Sequence, residues 1–132
     1  MSIFSDWPHN WYGFWKKREE RYPLPLLADL FDSDWMPSDK DRLIRYLEQS
    51  PIAVTSMGPE STCQLCGDSV GNSSCYKSDG VWLWPLSLAH FVSKHAVRLP
   101  DRMVKHIVTK NYVPIANLSV SPDKLPWPRL VK

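Results

Sequence analysis

The chain lacks the features that mark export, membrane insertion or several common classes of enzyme. Its first residues contain neither a basic stretch nor an apolar stretch, so they do not resemble a signal peptide. No apolar run approaches the length that spans a bilayer. The glycines are scattered and form no phosphate-binding loop, and no Gly-x-Ser-x-Gly is present. We therefore expect a cytoplasmic protein that does not contact a membrane.

Glutamate is missing from the second half of the chain, where none follows Cys63. The absence removes the usual general base of a zinc enzyme and leaves only aspartates such as Asp68, Asp79 and Asp101 as candidates. His-Glu-x-x-His is also absent, as is the His-x-Glu pattern of zinc deaminases. We predict that the protein is not an enzyme, and a metal-dependent enzyme is only the third hypothesis.

Cysteine is scarce, and its odd number argues against a disulfide framework. With three cysteines and no export signal, we expect reduced thiols and metal binding. The 132 residues are 43% hydrophobic and 23% charged, which fits one globular domain over 1–132. Seven tryptophans and twelve prolines are unusual. Several tryptophans should therefore lie in the core or at a partner surface.

Two pairs of side chains in the second half have the spacing of a four-coordinate zinc site. Cys63-Gln-Leu-Cys66 is followed by His90-Phe-Val-Ser-Lys-His95. The order resembles a ββα zinc finger, although 23 residues separate Cys66 from His90 instead of about 12. Five helical steps place the two histidines about 140° apart, so His95 should lie at a loosened helix end. We predict a structural Zn²⁺ on these four side chains, and Cys75 or His106 remains an alternative ligand.

Hydrophobic periodicity and turn residues predict an α+β fold. A helix should run from Asp6 to about Tyr22, another from about 38 to 49, and two more over 85–96 and around 103–108. Strands are expected at 52–57 and 81–84, with a turn-rich loop over 63–80. We expect helices around a short sheet with a zinc-stabilised loop–strand–helix unit that is ββα-like. The domain should comprise an aromatic N-terminal helix and connector over 1–37, a motif-bearing core over 38–110 and a Pro-rich tail over 111–132.

A stripe of tryptophans and a group of basic side chains are the other candidate sites. Trp7, Trp11 and Trp15 would share one helix face. Docking on the core is the favoured interpretation, a partner surface the second and a membrane-surface helix the third. Residues 63–132 carry nine Lys and Arg against four Asp and Glu. The candidate partner-binding residues are Trp7, Trp11, Trp15, Lys94, Arg98 and Arg102, and Lys105 and Lys110 extend the basic face toward an anionic partner.

The stretch from Ser78 to Asp101, with Cys63-x-x-Cys66 upstream, is similar to a family of small, mostly uncharacterised bacterial proteins. Their pattern is approximately Cys-x-x-Cys, then Asp-Gly-x-Trp-x-Trp-Pro-x-x-Leu-x-His-Tyr-Val-x-x-His-x-Val-x-Leu-Pro. The match covers residues 38–110, and this chain departs from it by Ser87 in place of Gly and Phe91 in place of Tyr. The resemblance implies the grouping of Cys63, Cys66, His90 and His95, and it implies no activity.

Together these observations predict a non-enzymatic, zinc-stabilised protein-binding module. By analogy with other small proteins of this kind, we expect an immunity-type, antitoxin or accessory protein of a bacterial toxin system. The alternative is a small regulator that binds nucleic acid, whose affinity would fall steeply with salt.

Overall fold

The described part of the chain combines three α-helices with two small antiparallel sheets. We describe it from a computed structural model over residues 3–15, 25–54, 59–72 and 75–127. The helices are α1 (Lys40–Gln49), α2 (Leu88–Lys94) and α3 (Asp101–Thr109). The strands are β1 (Ile52–Val54), β2 (Glu60–Thr62), β3 (Ser69–Asn72), β4 (Tyr76–Ser78) and β5 (Leu83–Pro85). The predicted α+β class is confirmed.

The three-stranded sheet lies against the core, and the two-stranded sheet lies to one side of it. One sheet has the order β1-β4-β5, and the other is the separate hairpin β2–β3. In the three-stranded sheet Lys77 pairs with Trp84 and Ser78 with Leu83. Trp84 and Leu83 are buried, and so is Trp82 just before the strand. The core therefore lies against β5, and the hairpin lies to one side of it.

Helices α1 and α3 follow the apolar periodicity of the sequence. Leu43 and Leu47 of α1 are buried, as are Met103 and Ile107 of α3, at spacings of four residues. Helix α2 buries Leu88, Phe91 and Val92, and it begins three residues later than predicted. The segment Leu86–Ser87 instead forms the turn that leads out of β5.

The predicted N-terminal helix is wrong over the residues that the structure describes. Residues 6–15 form bends and an irregular segment with a β-bridge at Trp11, and positions 16–22 of the predicted helix lie outside the described residues. The backbone N–H of Tyr12 donates to Leu83 O at 3.0 Å, and the N–H of Leu83 donates to Asn10 O at 2.9 Å. Trp11 forms a parallel bridge with Leu83. Pairing with β5 and burial of the tryptophans outweigh the helical spacing, which is only a weak local preference.

The contiguous ββα-like unit is not shown by the described residues. Strands β4 and β5 intervene between the hairpin and α2, and they belong to the other sheet. The predicted loop over 63–80 contains all of β3 and all of β4, because sheet pairing does not require the alternating apolar pattern used for the prediction. Positions 55–57 of the predicted strand 52–57 lie outside the described residues.

Over 111–127, the Pro-rich tail is irregular apart from a short 3₁₀ turn at Pro122–Lys124. Leu125 is buried, and the ring of Trp127 packs edge-on against Tyr76 at 5.3 Å. The tail therefore contributes side chains to the core over its described part. Within that description, no helix has the length and apolar character needed to cross a membrane.

Candidate metal centre

The four predicted ligands converge on one point. The Sγ atoms of Cys63 and Cys66 and one ring nitrogen each of His90 and His95 all lie within 4.8 Å of one another. Cys63 Sγ is 3.4 Å from His95 Nε2, and Cys66 Sγ is 3.4 Å from His90 Nε2. Cys63 is buried, the histidines are half-buried and Cys66 is exposed. The four side chains lie close enough to hold a metal ion.

The sulfur–nitrogen distances match those of a tetrahedral zinc site. With Zn–S bonds of about 2.3 Å and Zn–N bonds of about 2.0–2.1 Å, tetrahedral geometry puts sulfur and nitrogen about 3.5 Å apart. Both observed distances are 3.4 Å. Two thiolates and two imidazoles are also a donor set that zinc prefers. The residues present therefore fit a zinc ion.

A tight turn between β2 and β3 presents the two cysteines on the same side. The backbone N–H of Gly67 donates to Cys63 O at 2.8 Å, and the N–H of Cys63 donates to Asp68 O at 2.7 Å. Gly67 has φ +79°, a left-handed conformation in which other residues are strained. The N–H of Leu65 points at Cys63 Sγ at 3.4 Å, a contact that stabilises a thiolate.

The end of α2 presents the two histidines. His90 lies within the helix, whereas His95 is the residue that follows its last turn, with φ −129° and ψ 18°. This departure from helical geometry turns His95 toward His90, and their ring centroids lie 5.0 Å apart. The predicted loosened helix end is confirmed. Ala96 then takes φ 57°, which completes the turn toward Val97.

The thiol of Cys66 is protonated more readily than an ordinary cysteine. The backbone N–H of Asp68 lowers its pKa, but desolvation, Cys63 and the carboxylate of Asp68 raise it, and the pKa lies above its usual value. Because zinc binds the thiolate, metal uptake must displace this proton.

The two alternative ligands lie outside the cluster. Cys75 is buried, yet the cluster of potential ligands found in the described part of the chain does not include it. The Nε2 atom of His106 lies 2.7 Å from Asp79 Oδ2 instead. Neither residue therefore replaces one of the four predicted ligands.

Asp79 is the centre of a buried polar cluster that the sequence did not reveal. Its side chain is only 2% exposed. Oδ2 accepts the hydroxyl of Tyr46 at 2.6 Å and contacts His106, while Oδ1 accepts the backbone N–H groups of Val81 and Trp82. Burial, and then the hydrogen bond to Asp79, raises the pKa of Tyr46. The cluster joins α1, α3 and the β4–β5 turn, and its carboxylate is occupied by structural partners.

Two of the predicted partner-binding tryptophans cannot form an exposed surface. Trp7 is 6% exposed and Trp11 is 4% exposed, and the Trp7 ring N–H donates to Trp11 O at 2.8 Å. Trp15 is half-buried with its ring 4.8 Å from that of Phe91. The partner-surface interpretation therefore does not fit Trp7 and Trp11, which lie in the core although not on the predicted helix.

The predicted basic face is weakened by internal pairing. Arg98 pairs with Asp32 at 2.9 Å and with Asp101 at 3.0 Å. Arg102 donates to the backbone oxygens of Trp7 and His9 and to Asn10 Oδ1. Of the five cations predicted for this face, Lys94, Lys105 and Lys110 are exposed and form no ion pair among the described residues. The arginines therefore anchor the N-terminal segment and neighbouring loops, and the nucleic-acid hypothesis gains no support from them.

Comparison of the chain with protein-family models, with curated proteins and with solved structures finds no match. The resemblance to small bacterial proteins therefore remains a prediction.

Proposed function

We propose that the protein is a non-enzymatic module in which a structural zinc ion is held by Cys63, Cys66, His90 and His95, and that it acts by binding another protein. The observation that carries the proposal is the convergence of two sulfurs and two ring nitrogens within 4.8 Å. Four protein ligands complete the tetrahedral shell of a structural zinc, whereas catalytic zinc sites keep a position for water or substrate.

The surroundings of the cluster bear on whether its role is structural. A hydrolytic zinc site needs a free base close to the metal-bound water. Among the aspartates that follow Cys63, Asp79 is buried with four partners and Asp101 pairs with Arg98. Asp68 is the exception, because its carboxylate lies beside Cys66 and raises the pKa of that thiol. The proposed structural role therefore rests on the four-ligand shell and not on the absence of a nearby carboxylate.

The exposed apolar side chains support protein binding. Large apolar residues are exposed mainly in two stretches, 26–36 and 108–115, where the most exposed are Met36 at 79% and Val113 at 65%. Single exposed apolar residues are common, and it is their recurrence along these two stretches that supports an interaction surface. An immunity-type or accessory role in a bacterial toxin system is the specific form that the sequence predicts, and it rests on size and analogy alone.

Metal content tests the zinc site. We expect Cys63→Ser to lose its zinc and Cys75→Ser to keep one zinc per chain, because only the first cysteine belongs to the cluster. The two variants are matched, since both replace a buried free cysteine by serine. Elemental analysis and native mass spectrometry of the purified proteins give the stoichiometry. Equal zinc content in the two variants would contradict the assignment.

Cobalt substitution distinguishes a structural site from a catalytic one. A closed four-ligand site keeps its tetrahedral cobalt spectrum unchanged when azide or another small anion is added, whereas an open site binds the anion. A spectrum that shifts with azide would overturn the structural assignment.

Capture of a partner tests the binding role. A polypeptide retained by the wild-type chain should be lost with Met36→Asp or Val113→Asp and retained with Val81→Asp, which alters an exposed apolar side chain outside the two stretches. Retention by all three variants would exclude both stretches as the partner surface. Growth arrest caused by the captured polypeptide alone would be the result that the immunity hypothesis predicts.

A further inference from the structure

Open cavities lie between parts of the hairpin β2–β3 and the rest of the molecule. One of them, of about 480 Å³, lies between β3 and the helices α1 and α2, with Ile44, Val70 and His90 in its walls. Two others, of about 200 Å³ and 120 Å³, lie between the hairpin and the residues Pro85, Ser87 and Phe91. Because protein interiors are normally close-packed, such spaces mean that few dispersion contacts hold the hairpin in place.

The hairpin also contributes little apolar surface to the core. Neither β2 nor β3 contains a fully buried side chain. Val70 is partly buried against the core, and Cys63 in the turn is 3% exposed. Helix α2 differs, because Leu88, Phe91 and Val92 anchor it independently of the cluster. The connection between Cys63–Cys66 and His90–His95 is thus the main attachment of the hairpin to the body of the protein.

We propose that the cluster is a redox-sensitive latch, in which formation of a Cys63–Cys66 disulfide releases the metal and frees the hairpin β2–β3 while the body stays folded. This inference rests on the proposed zinc site. Two features support it: Cys66 is exposed to solvent, and its sulfur lies within 4.8 Å of the sulfur of Cys63. Cysteines spaced as Cys-x-x-Cys form reversible disulfides when an oxidant reaches them.

The oxidation is balanced with a peroxide as the oxidant. Each thiolate gives up one electron as the Sγ–Sγ bond forms and both sulfur–zinc bonds break. Hydrogen peroxide takes the two electrons together with two protons from solvent, its O–O bond breaks, and two water molecules result. The zinc ion leaves, since the two histidines alone are a poor site for it. A dithiol such as dithiothreitol reverses the step by exchange.

The structure limits how far the released region extends. If the whole span from the cysteines to the histidines depended on the metal, residues 63–97 would unfold together. However, β4 and β5 lie in the core sheet, and α2 is anchored by its own buried side chains. We therefore expect loss of order to be confined to residues 59–72. This release would open the side of the 480 Å³ cavity that β3 forms.

Hydrogen–deuterium exchange measured by mass spectrometry tests the latch on the full chain. The zinc-loaded protein is compared before and after treatment with hydrogen peroxide, with released zinc followed by a chromogenic chelator. We expect amides of 59–72 to exchange at least about tenfold faster after treatment, as for a locally opened segment, with α1 and α3 unchanged. The peptide that contains Cys63 and Cys66 should become lighter by two hydrogens, and dithiothreitol with zinc should restore both properties.

Controls separate failure of the latch from failure of the zinc site. Cys75→Ser should behave like the wild-type chain, which excludes a disulfide that involves Cys75. A protein that binds no zinc before treatment would overturn the proposed function. A protein that binds zinc but releases none under peroxide, or whose exchange rises equally in α1, α3 and 59–72, would overturn the latch alone. Removal of zinc by a chelator without oxidant should also make the amides of 59–72 exchange faster. If these amides stayed protected, the latch would be contradicted.

Discussion

At the scale of single residues, the metal centre depends on side chains whose roles follow from local chemistry. The spacing of Cys63 with Cys66 and of His90 with His95 was sufficient to predict the cluster, because ligand spacing is a local property of the chain. The Asp79 cluster could not be predicted in this way. Its partners Tyr46 and His106 lie 33 and 27 residues away, and no sequence pattern marks such a contact.

Gly67 allows a prediction at this scale. We expect Gly67→Ala to weaken zinc binding about 5–30-fold, because a left-handed φ costs other residues about 1–2 kcal/mol when the turn forms. An added Cβ at Gly67 would meet nothing within 4 Å, so the cost is conformational. Competition with a zinc-binding dye measures the change.

Gly80→Ala is the matched control for Gly67→Ala. Gly80 also has positive φ, at +90°, with open space around its Cβ position, but it lies between β4 and β5, away from the cluster. Its substitution should lower the free energy of unfolding and leave zinc affinity unchanged. Similar zinc affinities for the two variants would mean that the turn at Gly67 does not position the cysteines.

At the scale of secondary-structure elements, α1 and α3 were predictable and the hairpin was not. The helices show a 3.6-residue apolar period with buried Leu43, Leu47, Met103 and Ile107. Strands β2 and β3 are polar and lack an alternating pattern, since their pairing depends on a turn and, in our proposal, on a metal ion. Their local sequence therefore resembles a loop.

The ion pair between Asp32 and Arg98 predicts that the melting temperature depends on pH. The hydrogen bond from Arg98 holds the pKa of Asp32 below its ordinary value. A carboxylate of this kind stabilises the fold above its unfolded pKa, and that contribution is lost as the pH falls through the folded pKa. We expect Asp32→Asn to lower the melting temperature at pH 7, and the difference from wild type should shrink below about pH 4.

Melting curves between pH 7 and pH 3 measure this difference. The wild type and Asp32→Asn have the same four metal ligands, so loss of metal in acid affects both proteins equally. Asp34→Asn is the control, since the Asp34 carboxylate forms no ion pair among the described residues. A difference between wild type and Asp32→Asn that stays constant down to pH 3 would show that the pairing with Arg98 does not contribute to stability.

At the scale of the whole molecule, the N-terminal segment is part of the core rather than an appendage. Tryptophans at positions 7, 11 and 15 imitate the spacing of an amphipathic helix, which is why the sequence predicted one. Their burial and the backbone pairing of Tyr12 with Leu83 depend on residues about 70 positions away. Long-range contacts of this kind cannot be inferred from a single sequence.

We expect Trp11→Ala to lower the free energy of unfolding by about 3–5 kcal/mol, because it removes a buried aromatic side chain. Trp15→Ala should cost less, since Trp15 is only half-buried. Denaturant titration of both variants, loaded with zinc, provides the comparison. Unchanged stability in Trp11→Ala would show that the segment is not part of the core.

The order of the ligands along the chain also has a consequence for biosynthesis. Cys63 and His95 are 32 residues apart, and both cysteines leave the ribosome before either histidine. At about 5–20 residues per second, the thiols wait for roughly two to six seconds before the imidazoles are made. A nascent chain therefore passes through a stage with half of its coordination shell. Stable zinc uptake would then mark a chain that has been translated at least as far as His95.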